Sequence, residues 1–187
     1  SVILKIAAAV LLVIATGIAI NYYSASGDQV YQTADSNKKI TLPDGSIVSL
    51  NRNSTLSYTK SFGDDHRKVA LSGEGFFEVK PDKQNPFTIL VDDMVITVVG
   101  TSFNVQGYNS GKDLEVTVET GVVRLKSTKI NEPLDLKAGE KGIYKKTELK
   151  LIAKRNDDSN FLAWKTRRIV FEGNNLSTVA ETLQSVY

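Results

Sequence analysis

Apolar and polar residues alternate with a period of two through most of this chain. Ile40 and Leu42 stand before Pro43-Asp44-Gly45, and Val48 and Leu50 continue on the same face after it. Proline presets φ and glycine accepts a positive φ, so this spacing predicts a hairpin. The same alternation recurs at Leu56 and Tyr58, Val69 and Leu71, Phe77 and Val79, Phe87 to Val91, Ile96 and Val98, and Phe103 and Val105. Leu114, Val116 and Val118 lead into Thr120-Gly121, and Val123 and Leu125 are expected on a returning strand. Leu134 and Leu136, the turn 138–142, Ile143, Leu149 and Leu151 close the series. Short strands with tight turns predict a mainly β fold, an antiparallel all-β domain over 38–154 built as a sandwich, roll or solenoid.

The two ends follow other patterns. Val2 to Ile20 is apolar or small apart from Lys5 and Thr16, and Asn21-Tyr22-Tyr23 follows. At roughly 1.5 Å per residue such a helix just spans a bilayer core of about 30 Å. Lys5 can place its amine among headgroups and the tyrosines suit the opposite interface, so 1–23 is expected to be a transmembrane helix. Ile6 to Ile20 with Ser24-Ala25-Ser26 also fits a signal peptide and its cleavage site. The sole methionine is Met94, so further sequence is expected before Ser1. The polar segment 24–37 is expected to be a linker.

Beyond Lys154 the alternation stops. A helical turn is expected around Trp164, a strand over Arg168 to Glu172, and a helix from Leu176 with Asn175 as its N-cap. Leu176, Val179, Ala180, Leu183 and Val186 share one helical face, which one strand and one helix cannot bury alone. Residues 155–187 are therefore expected to begin an α/β unit that continues past Tyr187. That face is either the core of the unit or a partner surface, and the strand beside it could pair edge to edge with a partner.

Composition removes several kinds of chemistry. With 23 basic and 21 acidic side chains, the formal net charge is +2, and no long block of one sign argues for nucleic acid. The basic run Lys165-Thr166-Arg167-Arg168 has no aromatic platform or glycine-rich loop beside it and reads as a solvated connection. The absence of cysteine excludes disulfides, thiolate metal sites and thiol nucleophiles. His66, the one histidine, lies in the mixed-charge loop Asp64-Asp65-His66-Arg67-Lys68 and has no evident catalytic partner. Asp92-Asp93 sits where a turn should be, so no metal or cofactor is expected. Glu74 and Glu78 share one face of a strand, about 13 Å apart at 3.3 Å per residue, and are expected to face solvent rather than act as a glycosidase pair.

Leu42-Pro43-Asp44-Gly45-Ser46 with Val48 to Asn51, and then Val69 to Val79, resemble the first signatures of the FecR family. Pro86-Phe87, Val98 to Val105, Val116 to Val123 and Leu136 to Glu140 continue the resemblance in order. From Trp164 through Ile169-Val170-Phe171 to Leu176, Val179, Leu183 and Tyr187, the chain resembles the start of the secretin/TonB-like domain that follows in these proteins. The resemblance implies an anti-sigma factor and transmembrane signal transducer of the bacterial inner membrane, with its C-terminal part in the periplasm. It implies two partners. One is an extracytoplasmic-function sigma factor, bound through a region that would precede Ser1. The other is the periplasmic signalling domain of a TonB-dependent outer-membrane transporter. Ile169, Phe171, Leu176, Val179 and Leu183 are the candidate partner-binding residues.

Some family members are processed at the Gly-Thr pair that here is Gly100-Thr101. A threonine hydroxyl can attack the preceding carbonyl where glycine permits a strained peptide, giving an ester and then two chains. Alternatively the glycine marks a close approach in a sheet and the threonine simply suits a strand. Apart from that step no enzyme activity is expected. The competing function is a secreted or membrane-anchored β-rich module that binds carbohydrate or peptide.

Overall fold

The computed structural model of the chain describes residues 10–17, 27–63, 66–108, 113–171 and 176–186. Its strands are β1 (Asp28–Gln32), β2 (Lys38–Thr41), β3 (Ile47–Leu50), β4 (Thr55–Thr59), β5 (Arg67–Glu78), β6 (Phe87–Val91) and β7 (Met94–Val98). They continue as β8 (Ser102–Gly107), β9 (Leu114–Thr120), β10 (Val122–Ser127), β11 (Leu134–Lys137), β12 (Glu140–Lys145) and β13 (Lys150–Arg155). Helix α1 covers 10–17, α2 is Ala163–Thr166 and α3 is Leu176–Val186.

The strands form two facing sheets. The first has the order β1-β4-β5-β6-β7-β10-β11 and the second β2-β3-β5-β8-β9-β12-β13. Because β5 belongs to both, the sandwich is continuous along one side and approaches a barrel. Residues 67–72 of β5 pair with β4 and β6, and residues 73–78 with β3 and β8. Gly73 sits at the changeover with φ +102°, a conformation that glycine adopts without a Cβ penalty.

Bending β5 solves a problem of reach. Its start pairs in parallel with β6, whereas the other strand pairings among the described residues are antiparallel. A straight β5 would span about 36 Å at 3.3 Å per residue. The stretch from Glu78 to Phe87 can cover no more than about 32 Å fully extended. The bend brings the end of β5 back within reach of β6.

Inward-facing residues of both sheets form one core. Phe77 of the second sheet lies 5.5 Å from Phe103 and 6.3 Å from Phe87 of the first, centroid to centroid. Each fully buried aliphatic or aromatic side chain contributes about 2 kcal/mol through water exclusion. A polar tie also crosses the sandwich, where the Tyr144 hydroxyl donates to Asp93 Oδ2 at 2.6 Å.

The hairpin at Pro43-Asp44-Gly45 forms as its residues require, with Gly45 at φ +85° and its N–H donating to the Leu42 carbonyl at 2.9 Å. Asp92-Asp93 turns β6 into β7. Thr120-Gly121 does not make the expected hairpin. β9 lies in the second sheet and β10 in the first, so this is a corner between sheets, and β10 pairs with β7 and β11. Alternation predicts a strand but not its neighbour.

Other expectations change at the ends. The polar segment read as linker contributes β1, because Tyr31 packs on Tyr58 with ring centroids 6.0 Å apart and the backbone pairs with β4. The expected strand over Arg168 to Glu172 is absent from its described residues 168–171. Asn160 takes the place of a neighbouring strand there, its side-chain amide donating to the Val170 carbonyl at 2.9 Å and accepting from the Val170 N–H at 2.8 Å. Asp64, Asp65, Glu172, the expected N-cap Asn175, Tyr187 and most of the expected membrane helix lie outside the described residues. Within 10–17 the chain is helical, and Val10 to Ile14 are exposed. Among the described residues, no helix is long and apolar enough to cross a membrane.

Candidate functional site

Past Gly73 the alternation of β5 sends Phe77 inward and places Glu74 and Phe76 on the outer face of the second sheet. Both are nonetheless buried, which corrects the expectation that Glu74 faces solvent. The segment after β13 folds back over this face as a strap, burying Ala163 and Trp164. Three contacts hold the strap down. Asn37 Nδ2 donates to the Trp164 carbonyl at 3.2 Å, Lys165 Nζ lies 4.0 Å from the centroid of the Phe76 ring, and the same amine is 3.8 Å from Glu78 Oε2. Arg167, in the left-handed region at φ 55°, ends α2 and turns the chain away.

Under the strap the Glu74 carboxylate accepts hydrogen bonds from two neutral amides, Asn104 Nδ2 and Asn51 Nδ2, each at 2.8 Å. The Trp164 indole N–H approaches the carboxylate and favours its charged form, but outside hydrogen-bonding geometry, which leaves Nε1 without a partner. Burial is the largest influence on this carboxyl and raises its pKa above the ordinary value of 4.5. The Asn104 and Asn51 donors and the nearby Trp164 N–H dipole oppose that rise, and the charge of Glu115 adds to it. The same face carries Thr117, Gln106 and an ion pair between Lys141 Nζ and Glu115 Oε2 at 2.9 Å.

A carboxyl with a raised folded pKa holds its proton more tightly when folded. Its contribution to stability is therefore complete below the ordinary value and is lost as pH rises through the folded value. Glu74→Gln fixes the neutral form at every pH. The variant is expected to gain stability relative to the wild type as pH rises from 4 to 8. Urea denaturation at the two pH values measures this. A difference that stays constant with pH would mean that Glu74 carries no buried charge.

Gly100 and Thr101 precede β8 at a crowded crossing. Gly100 has φ +153°, and a Cβ there would stand 2.8 Å from Pro81 Cα. The glycine thus serves a close backbone approach. Thr101 is buried, and its hydroxyl donates to the Val122 carbonyl at 3.2 Å. If the pair serves packing alone, wild type and Thr101→Ala run as the same single full-length band on a denaturing gel. Two fragments from the wild type alone would show self-cleavage between Gly100 and Thr101.

The candidate partner residues lie beyond the strap. Ile169 and Val179 are half-buried, whereas Phe171, Leu176 and Leu183 are exposed, Leu176 by 86%. The described part of this apolar face is thus not the core of a unit formed within the chain. His66 is exposed, as its loop implied. Reasoning from sequence missed Asn51, Asn104 and Trp164 as one cluster. The signal available was a glutamate in the otherwise apolar and glycine-rich run Gly73 to Phe77, where a charge needs partners.

A two-sheet sandwich sharing one bent strand, with a strap over a buried carboxylate, defines a mainly β module. The model of the FecR family, described as FecR protein, matches residues 29–124, just over half of the chain. The chain belongs to the FecR family. It is similar to two crystal structures, at 2.50 Å and 1.65 Å resolution, of a candidate anti-sigma factor from Parabacteroides distasonis. Both superpose with a TM-score of 0.72 at 29% identity. The first match covers 86% of this chain and 75% of the other, and the second 85% and 74%. No curated relative matches.

Proposed function

We propose that this chain is the membrane-tethered, periplasmic signal-receiving part of an anti-sigma factor. The observation that carries this reading is membership of the FecR family, joined to 29% identity over most of the chain with a candidate anti-sigma factor. The exposed apolar residues Phe171, Leu176 and Leu183 supply a surface for a partner, and the apolar stretch Val2 to Ile20 supplies an inner-membrane anchor.

In this reading, a TonB-dependent outer-membrane transporter occupied by its substrate docks its periplasmic signalling domain on the C-terminal face. Rearrangement or proteolysis then releases an extracytoplasmic-function sigma factor held on the cytoplasmic side. In this reading the protein relays a signal and turns over no substrate. The sandwich is a stiff platform, and the strap joins it to the receiving surface.

Affinity purification of the full-length protein from membranes, through a tag at its cytoplasmic end, followed by mass spectrometry, tests the proposal. A co-purifying sigma factor, and a TonB-dependent transporter after crosslinking, are expected. Recovery of neither, with the tag lost by signal-peptide cleavage, would favour a secreted carbohydrate- or peptide-binding module.

A further inference from the structure

We propose that the cavity between the outer face of the second sheet and the Trp164 strap binds a small organic cation with N–H donors, an ammonium or guanidinium compound. The cavity has a volume of about 230 Å³. Glu74, Asn104 and Thr117 form its floor, and Asp158, Phe161 and Trp164 form its cover.

Three features set the chemistry of the occupant. The lining has an excess of negative charge, because Glu74, Glu115 and Asp158 face a single cation, Lys141, which is already held by Glu115 at 2.9 Å. Glu74 is served only by neutral amide donors at 2.8 Å, so its charge is solvated but not balanced. An occupant carrying a positive charge supplies what the wall lacks.

The second feature is an orphaned acceptor. Asn104 is only 5% exposed, and its Nδ2 is committed to Glu74, which fixes the direction of Oδ1. That oxygen is buried without a partner. Buried polar atoms are nearly always satisfied, so an empty acceptor beside a cavity marks where a ligand donor belongs. Together with the Glu74 carboxylate it offers adjacent acceptors to one N–H-bearing head group.

The third feature is the aromatic wall. Phe161 and Trp164 both line the cavity, and ring faces attract ammonium and guanidinium groups at close range. A metal ion fits the site less well. Among the described residues, no three histidine or carboxylate side chains converge as ligands, and the volume exceeds that of a single ion.

Trp164 is the only tryptophan of the chain, so its emission reports on this site alone. The probe is agmatine, which has a guanidinium at one end and an ammonium at the other, titrated into the purified chain. Sodium chloride at matched ionic strength and a neutral diol of similar length serve as controls. Agmatine is expected to give a saturable change in emission in the millimolar range or below, as suits so few ligand atoms. The controls should give none. Glu74→Gln, which removes the charge, is expected to weaken binding at least about tenfold. Asp158→Asn, at the rim, should weaken it less, and it provides the comparison if Glu74→Gln does not fold. An agmatine response no larger than that of salt, or one equally strong in a folded Glu74→Gln or Asp158→Asn protein, would overturn the proposal.

Discussion

Gly73→Ala is expected to destabilise the protein by about 4 kcal/mol, enough to unfold much of it at physiological temperature. Two effects combine. Gly73 has φ +102°, which an alanine adopts only with strain. A Cβ built there would also stand 2.3 Å from Ser54 Oγ and 2.7 Å from Ser54 Cα. Ser54 cannot retreat cheaply, because it is buried, its hydroxyl donates to the Arg52 carbonyl at 3.0 Å, and Ser54 Oγ accepts the Glu74 N–H at 2.9 Å. The position is moreover the point where β5 passes from one sheet to the other. Chemical denaturation with circular dichroism measures the loss. A cost below about 1 kcal/mol would show that the strand can bend elsewhere, and would separate the two sheets' stability from this residue.

Arg67→Met is expected to cost a similar amount, about 4 kcal/mol, through a different mechanism. Arg67 opens β5 and is 5% exposed, yet it is charged. Its Nε donates to the Asn85 carbonyl at 2.7 Å, Nη1 to the Lys80 carbonyl at 2.8 Å, and Nη2 to the Asp82 carbonyl at 3.1 Å. Nη1 also meets Asp44 Oδ2 at 3.1 Å. One side chain thus fastens the connection between β5 and β6 to the turn between β2 and β3. Methionine would keep much of the volume while leaving the Asp44 carboxylate and three carbonyls without this donor. Adding Asp44→Asn should restore about 1–2 kcal/mol, because it removes the charge left behind. If the double variant is no better than the single one, the carbonyls rather than the ion pair carry the loss.

The strap links these stability effects to function. Its residues touch the outer face of the second sheet through Trp164 and Lys165, and the exposed Phe171, Leu176 and Leu183 follow directly. Under the proposed function, occupancy beneath Trp164 and partner binding beyond it share one segment of backbone. Changes at the floor of the cavity can therefore be compared with changes in partner recovery using the same variants.

Much of the fold was legible because it depends on local rules. Period-two alternation marked the strands of the sandwich, and Pro43-Asp44-Gly45 made the turn its residues require. The helical turn at Trp164 and the helix from Leu176 appeared where spacing placed them. β1 was hidden because its pairing with β4 is largely a backbone matter, and Val30 and Tyr31 alone among polar neighbours are too short a pattern to mark a strand. The site was less legible. Glu74 looked like a surface residue because the sequence does not announce that a segment some ninety residues later folds over its face.

The sequence by itself determined the class of fold, the order of most strands along the chain and the family. Those properties follow from patterns within a few residues or from ordered motifs. Only the tertiary structure decided that β5 serves two sheets, that β9 and β10 part company at Gly121, and that Glu74, Asn104 and Trp164 enclose one cavity. Each of these depends on which strand becomes a neighbour and which face is covered, and such choices are set by long-range packing that local alternation does not encode.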